Sequence, residues 1–337
     1  MMTNPKIMTN SNQVANSNQL AHSKPSFLIL LTRDGVGVSV ILILLFLFLA
    51  VTAPNFLTVG NLSNLLVQSL FVMLVAFGTI FVLSTGGIDL SVGSVLGLAG
   101  GVTGWLMMSG SNMGIAILAG LFVGVLIGTI NGLIITKLGI SAFLVTFSML
   151  YMARGLLFLL TKDEPVRNFV TPEFAFLAQG KVLGIPMPVL ITLVIFLLLY
   201  FIFKSTSYGR FVIATGSNTE AARLSGVSTD RIKISVYALS GLLAAVAGIL
   251  LTSRLTSVQP LMGSEYELNA IAAAVIGGTS LFGGKASVVG VAIGALILGL
   301  VSNGLDLLSV NQFYRLIITG LIIIIAVAIE RYLAAKN

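Results

Sequence analysis

Ten apolar runs in succession constrain this chain more than any other feature. They fall near residues 36–53, 65–84, 91–109, 113–136, 140–160, 187–203, 234–252, 268–282, 286–305 and 313–329. A helix that crosses a bilayer takes about 20 apolar residues, so ten crossings use ~200 residues of the chain and leave the rest for loops and ends. The chain therefore reads as an all-α polytopic membrane protein of about ten transmembrane helices, in a single transmembrane domain over 27–337. The run at 268–282 is the weakest: it is short, contains Gly277-Gly278-Thr279-Ser280, and reads as a broken or partial span. Composition excludes the alternatives. Charged residues make up 9% of the chain and hydrophobic residues 57%, whereas a soluble domain carries about 25% charge.

Residues 1–26 are rich in Asn, Ser, Gln and Thr and lack an apolar run; they read as a disordered, polar cytoplasmic tail. The first apolar run starts near Phe27, includes Arg33 and Asp34, and shows no cleavage pattern, so no signal peptide is expected. Ten spans put both termini on one side. With the termini inside, twelve basic residues lie inside: Lys6, Lys24, Arg33, Lys137, Lys204, Arg210, Arg223, Arg231, Lys233, Lys285, Arg331 and Lys336. Six lie outside: Arg154, Lys162, Arg167, Lys181, Arg254 and Arg315. That asymmetry favours cytoplasmic termini. It also accounts for the net charge of +7 as basic cytoplasmic loops rather than as a nucleic-acid surface.

Several chemistries are excluded. There is no cysteine, and His22 is the single histidine, which removes thiolate and histidine metal sites and Ser-His triads. No catalytic or metal-binding residue is expected. A phosphate-binding loop needs G-x-x-x-x-G-K-[ST]. The nearest approach, Thr279-Ser280-Leu281-Phe282-Gly283-Gly284-Lys285-Ala286, lacks the first glycine and the final hydroxyl. The chain is not expected to hydrolyse ATP by itself or to carry a cofactor.

Proton- and ion-coupled carriers usually hold ionisable groups deep in the membrane. Here the ionisable groups lie almost entirely at span ends or in loops, apart from Asp89 and Arg154; Arg154 lies in the outer part of its run, placed to reach the outer interface. Asp89 sits in Ser84-Thr-Gly-Gly-Ile-Asp-Leu-Ser91, between two apolar runs with almost no spacer. Two glycines followed by Asp and Ser suggest a helix break whose next helix starts at a cap, Asp89 or Ser91. The break is either a structural turn or a broken helix along a polar pathway.

Glycine is frequent, 36 residues, and much of it recurs every four. Gly120, Gly124, Gly128 and Gly132 share one helical face, suited to close helix packing in lipid, within the bundle or at a homodimer seam. Gly86-Gly87-x-x-Leu90-x-x-Gly93 also repeats as Gly277-Gly278-x-x-Leu281-x-x-Gly284. The segment 204–233 holds five basic residues and a short helix pattern, opened by an Asn218/Thr219 cap and closed at Gly226. Ala221, Leu224 and Val227 give that helix an apolar face; Glu220 and Arg223 are polar. Such a helix is either a docking surface or an inert loop.

Three motifs carry a resemblance. GIDLSVGS (Gly87 to Ser94), GRFVIATGSNTEAARLSGV (Gly209 to Val227) and ELNAIAAAVIGGTSLFGGKAS (Glu267 to Ser287) resemble the permease subunit of ribose-type ABC sugar importers, from about residue 35 to the C-terminus. The resemblance implies a permease of ten helices, with a fold similar to vitamin-B12-type importers, working as a dimer with a second, identical permease subunit in the bacterial cytoplasmic (inner) membrane. It implies a cytoplasmic ABC ATPase that holds the ATP and Mg, and an extracytoplasmic sugar-binding protein. The segment Asn218, Thr219, Glu220, Ala221, Ala222, Arg223, Leu224, Ser225 and Gly226 would be the coupling element that seats in the ATPase. Gln68, Asp89, Ser91, Asn131, Asn269 and Asn303 are candidates to line the sugar path. Ribose or a related pentose is the first expectation for substrate. An ion-coupled secondary transporter and an ABC permease for amino acids are the competing readings.

Overall fold

The computed structural model describes residues 36–334. The tail expected over 1–26, and the first residues of the domain expected over 27–337, lie outside them. The helices in chain order are α1 (Val36–Thr52), α2 (Val59–Ser84), α3 (Val92–Met108), α4 (Met113–Lys137), α5 (Ala142–Thr161), α6 (Pro172–Gln179), α7 (Met187–Ser205), α8 (Ser207–Ser217), α9 (Thr219–Leu224), α10 (Thr229–Leu255), α11 (Tyr266–Ile276), α12 (Val288–Leu307) and α13 (Gln312–Ala334). Between α6 and α7 lies a hairpin of β1 (Lys181–Val182) and β2 (Ile185–Pro186), paired antiparallel.

Each of the ten apolar runs forms a helix. Six are long and apolar enough to cross a membrane: α2, α4, α5, α7, α10 and α12. The apolar stretches of α1, α3, α11 and α13 are shorter. The weak run is shortest of all, since α11 has 11 residues and so extends about 16 Å, half the ~30 Å hydrocarbon core. The helix stops at Gly277, its C-cap, and Gly278 follows with φ +84°, as the glycine pair suggested. The long polar segment differs from expectation in one respect. Besides α9 it contains α8, which starts where Thr206 Oγ1 accepts the N–H of Gly209 at 3.2 Å.

Burial sorts the helices. Of the apolar window of α2, 83% is buried, and of α10, 67%; for α7 the share is 17%. Helix α10 packs on α4, α2 and α3, and α2 also packs on α12, α11 and α7. The outer helices carry exposed apolar rows, such as Ile115, Leu118 and Phe122 on α4 and Leu193, Val194 and Leu197 on α7. Lipid requires no polar outer face, so an apolar surface on this scale is stable only in a bilayer.

Hydrocarbon does not drive apolar helices together; close backbone approach does. The α4–α10 contact shows how the glycines allow it. A Cβ on Gly124 would fall on the Gly241 carbonyl, on Gly128 on the Tyr237 carbonyl, and on Gly132 within 2.7 Å of Ile234 Cα. Gly120 faces Thr103 and Ala99 of α3. The four-glycine face is thus occupied by α10 and α3 of the same chain.

Candidate substrate path and coupling surface

The chain leaves α2 at Ser84 and does not become helical again until Val92. Non-helical backbone at membrane depth must have its polar groups met by protein or line a cavity. Gly86 makes the turn with φ +77°, a conformation that costs other residues about 1–2 kcal/mol. The following residues have no regular secondary structure, and Thr146 of α5 donates to the Ile88 carbonyl at 3.2 Å. Asp89 ends the segment at 1% exposure.

Asp89 is held by three donors. Its Oδ1 accepts from the Ser91 N–H at 3.0 Å and from the Ser91 hydroxyl at 2.6 Å. Its Oδ2 accepts from Ser240 at 3.1 Å, and Ser240 lies near the middle of α10. Asn131 of α4 donates to Ser91 Oγ at 3.0 Å. Of the two candidate caps, then, Asp89 takes the N–H at the head of α3, while Ser91 makes no capping bond of its own. A charged side chain at a helix centre costs about 2.5–3.5 kcal/mol, and charge-assisted hydrogen bonds offset part of that. Among the described residues no Lys or Arg forms an ion pair with Asp89. Around it, Ser94 Oγ, Asn131 Oδ1 and the Tyr237 hydroxyl are buried without a hydrogen-bond partner.

This cluster unites three of the six residues singled out for a path: Asp89, Ser91 and Asn131. The other three lie apart. Gln68 is exposed on α2, and Asn269 is half-buried on α11. Asn303 of α12 exchanges amide hydrogen bonds with Asn61 of α2, at 3.0 and 2.8 Å, which joins those two helices. Ser240, Tyr237 and Thr146 belong to the cluster but do not stand out in sequence, because each lies in an apolar run whose helical partners are unknown until the chain folds. Arg154 is half-buried, and its Nη1 donates to the Met262 carbonyl, in the loop between α10 and α11, at 2.6 Å. Glu267 lies in the first turn of α11, the end position that its place at the start of a weak span suggested, and its carboxylate packs against Gly93 at the head of α3.

The candidate coupling segment folds as its pattern implies. Asn218 Oδ1 accepts the Ala221 N–H at 2.9 Å, opening α9, and Gly226 closes the turn with φ +87°. Ala222 is the inward anchor at 6% exposure, and Leu224 stands 83% exposed. Ala221, Glu220, Arg223, Ser225 and Gly226 share the exposed side, and Thr219 is half-buried. Arg223 lies 3.9 Å from Glu220 and 3.8 Å from Asp230, which in turn meets Lys137 at the end of α4 at 3.3 Å. These exposed pairs are individually weak, but together they join α9, α10 and α4. A small helix held from behind, with an exposed leucine and an apolar face, has the form of a docking knob.

Six helices long and apolar enough to cross a membrane, a buried polar break between spans and an exposed capped helix on one loop are the features of a multi-pass membrane protein. The family model described as the permease component of a branched-chain amino acid transport system matches residues 61–327, and the chain belongs to that family. It is 42% identical over 285 residues to the ribose import permease protein RbsC of Escherichia coli (strain K12), covering 84% of this chain and 89% of that one. It is 42% identical over 284 residues to the protein of the same name from Bacillus subtilis (strain 168), covering 84% and 88%. It is 38% identical over 280 residues to the D-allose transport system permease protein AlsC of E. coli (strain K12), covering 83% and 86%. No solved structure matches the chain.

Proposed function

We propose that this chain is the permease subunit of an ATP-driven ABC importer, and that its cargo is a monosaccharide, ribose or a related pentose. Similarity to ribose import permeases over most of both chains carries this reading. The family description names branched-chain amino acids, and that substrate class is the second reading. In the proposed assembly the chain crosses the cytoplasmic membrane ten times, with both termini cytoplasmic and a fold of the vitamin-B12-importer type. A second identical copy completes the path. A cytoplasmic ATPase holds ATP and Mg and receives the exposed face of α9, with Ala222 behind it. An extracytoplasmic binding protein delivers the sugar.

The chemistry asked of the chain is then conformational. ATP binding and hydrolysis move the ATPase pair, α9 follows, and the two permeases alternate access by shifting between two packed states. Asp89, Ser91 and Asn131 supply hydroxyl-like and carboxylate partners of the kind a sugar exchanges for water. Proteoliposomes holding the permease, its ATPase and the binding protein test the reading. Accumulation of labelled ribose that requires ATP, resists excess leucine and disappears with Ala221→Asp is expected, because an unpaired charge at a docking surface costs several kcal/mol, about 2–5. Accumulation by the permease alone under a proton or sodium gradient overturns the importer reading, and competition by leucine instead of sugars moves the substrate to the second.

A further inference from the structure

The repeated glycine motif has a place in the tertiary structure that the path and the docking face leave unexplained. Its two copies meet. The Gly284 N–H donates to the Ser84 carbonyl at 3.0 Å, joining the turn after α11 to the last residue of α2. Gly86 approaches the Phe282 carbonyl: a Cβ there would lie 3.5 Å from it. A third element enters between them. Gly216, the penultimate residue of α8, fits where a Cβ would fall on the Ser84 carbonyl and 2.8 Å from the Gly284 nitrogen. Ser217 packs against Gly284 from the same side, its Oγ 2.6 Å from where a Cβ would stand.

The consequence is mechanical. Helices α8 and α9 are separated by the single extended residue Asn218, and Thr219 Oγ1 bonds back to the Thr215 carbonyl at 2.7 Å, so the two short helices are tied together. Thr215 itself is fully buried. Five residues beyond Ser84 lies Asp89, at the end of the non-helical segment. Movement of α9 thus has a backbone route to the polar cluster, without a flexible side chain in between to absorb it. Packed backbone contacts are bistable rather than compliant.

We propose that Gly216, seated between Ser84 and Gly284, is the positioning residue that transmits displacement of the α8–α9 segment to the Gly86–Asp89 break, so that ATP turnover and opening of the path are coupled there. The inference rests on the reading of α9 as the ATPase-docking element. It requires no contact between Gly216 and substrate or ATPase.

The test uses the complete assembly of permease, ATPase and binding protein in proteoliposomes, scoring subunit co-purification, ATP hydrolysis and ribose uptake side by side. Gly216→Ala is expected to assemble and hydrolyse ATP while uptake per ATP falls about tenfold. Gly155→Ala, at a helical glycine with open space around it, controls for glycine replacement in general and should leave the ratio unchanged. Because the chain has no cysteine, a second variant gives a reading in which each redox state controls for the other: Ser217→Cys with Gly284→Cys, oxidised and then reduced, a Cβ on Gly284 standing 3.3 Å from the Ser217 Cβ. Oxidation should stop uptake while ATP hydrolysis continues, and reduction should restore uptake. Unchanged uptake per ATP in Gly216→Ala, or full uptake in the oxidised double variant, overturns the proposal. Ala221→Asp in the same assay separates the two ideas. If it releases the ATPase while Gly216→Ala transports normally, the docking role stands and the transmission role falls; if it binds and transports normally, both fall.

Discussion

The turns after α2 and after α11 carry the same G-G-x-x-L-x-x-G spacing and use it in opposite ways. In the first, Gly86 has the positive φ, +77°, and Gly87 is the residue of close approach, since a Cβ there would strike the Tyr237 hydroxyl. In the second the roles exchange: a Cβ on Gly277 would fall on the backbone of Gly290, and Gly278 has φ +84° with open space around it. The last glycines differ as well. Gly93 is inside α3, against Glu267, while Gly284 turns the chain with φ +75°. After Leu90 the chain is a helix again within two residues, with Asp89 at its head. After Leu281 it loops through Phe282, which is 69% exposed, and reaches α12 only at the Ser287 cap. A glycine pair therefore marks where a span breaks, and the neighbouring helices decide which glycine bends and which makes room.

The largest effect should come from the residue present in only one turn. Asp89→Leu removes the acceptor for the Ser91 N–H, the Ser91 hydroxyl and Ser240, and each stranded buried donor costs about 1–3 kcal/mol. Folded, monodisperse protein in detergent should be nearly lost. Asp89→Asn keeps an acceptor oxygen at the same place, so it should fold and still slow ribose uptake. Uptake at the parent rate by the Asn variant would reduce Asp89 to a cap and make the two turns alike in kind.

Gly277→Ala should rank next. Its methyl meets backbone, which cannot rotate away, so α11 and α12 must separate; overpacking of this sort costs about 1–3 kcal/mol, occasionally more. No single truncation of a neighbouring side chain should restore the midpoint of thermal aggregation.

Gly87→Ala should cost less and behave differently, because its methyl meets the end of a side chain. Tyr237→Phe removes the hydroxyl it strikes, and that hydroxyl has no hydrogen-bond partner to lose. The double variant should recover most of the stability lost by Gly87→Ala, whereas Tyr237→Phe should do nothing for Gly278→Ala, whose cost of about 1–2 kcal/mol is backbone strain. Equal rescue of both, or of neither, in a double-mutant cycle would erase the distinction between the turns.

Much of the architecture was legible in the sequence. The ten apolar runs became helices, with ends displaced by a few residues, as at α2, which starts at Val59 rather than near 65. Apolar length and breaks at glycine are local properties and survive folding in lipid, where every backbone group must be met within its own segment. The cap of α9 at Asn218 and its stop at Gly226 were readable for the same reason. The candidate path was legible only in part. Asp89, Ser91 and Asn131 come together, but Asn303 is matched with Asn61, and Gln68 faces outward. Polar residues in apolar runs look alike in sequence, and which of them pair depends on helix rotation.

By itself, then, the sequence determined the class of solvent, the positions of the helices and their breaks, and the short capped helix α9, because hydropathy, glycine and capping act over a few residues. Only the tertiary structure decided that Asp89 meets Ser240, that Arg154 bonds to the Met262 carbonyl, and that Gly216 seats between Ser84 and Gly284. Those meetings join residues far apart in the chain. They follow from how closely the helix backbones approach, which glycine permits at many positions and packing selects at a few.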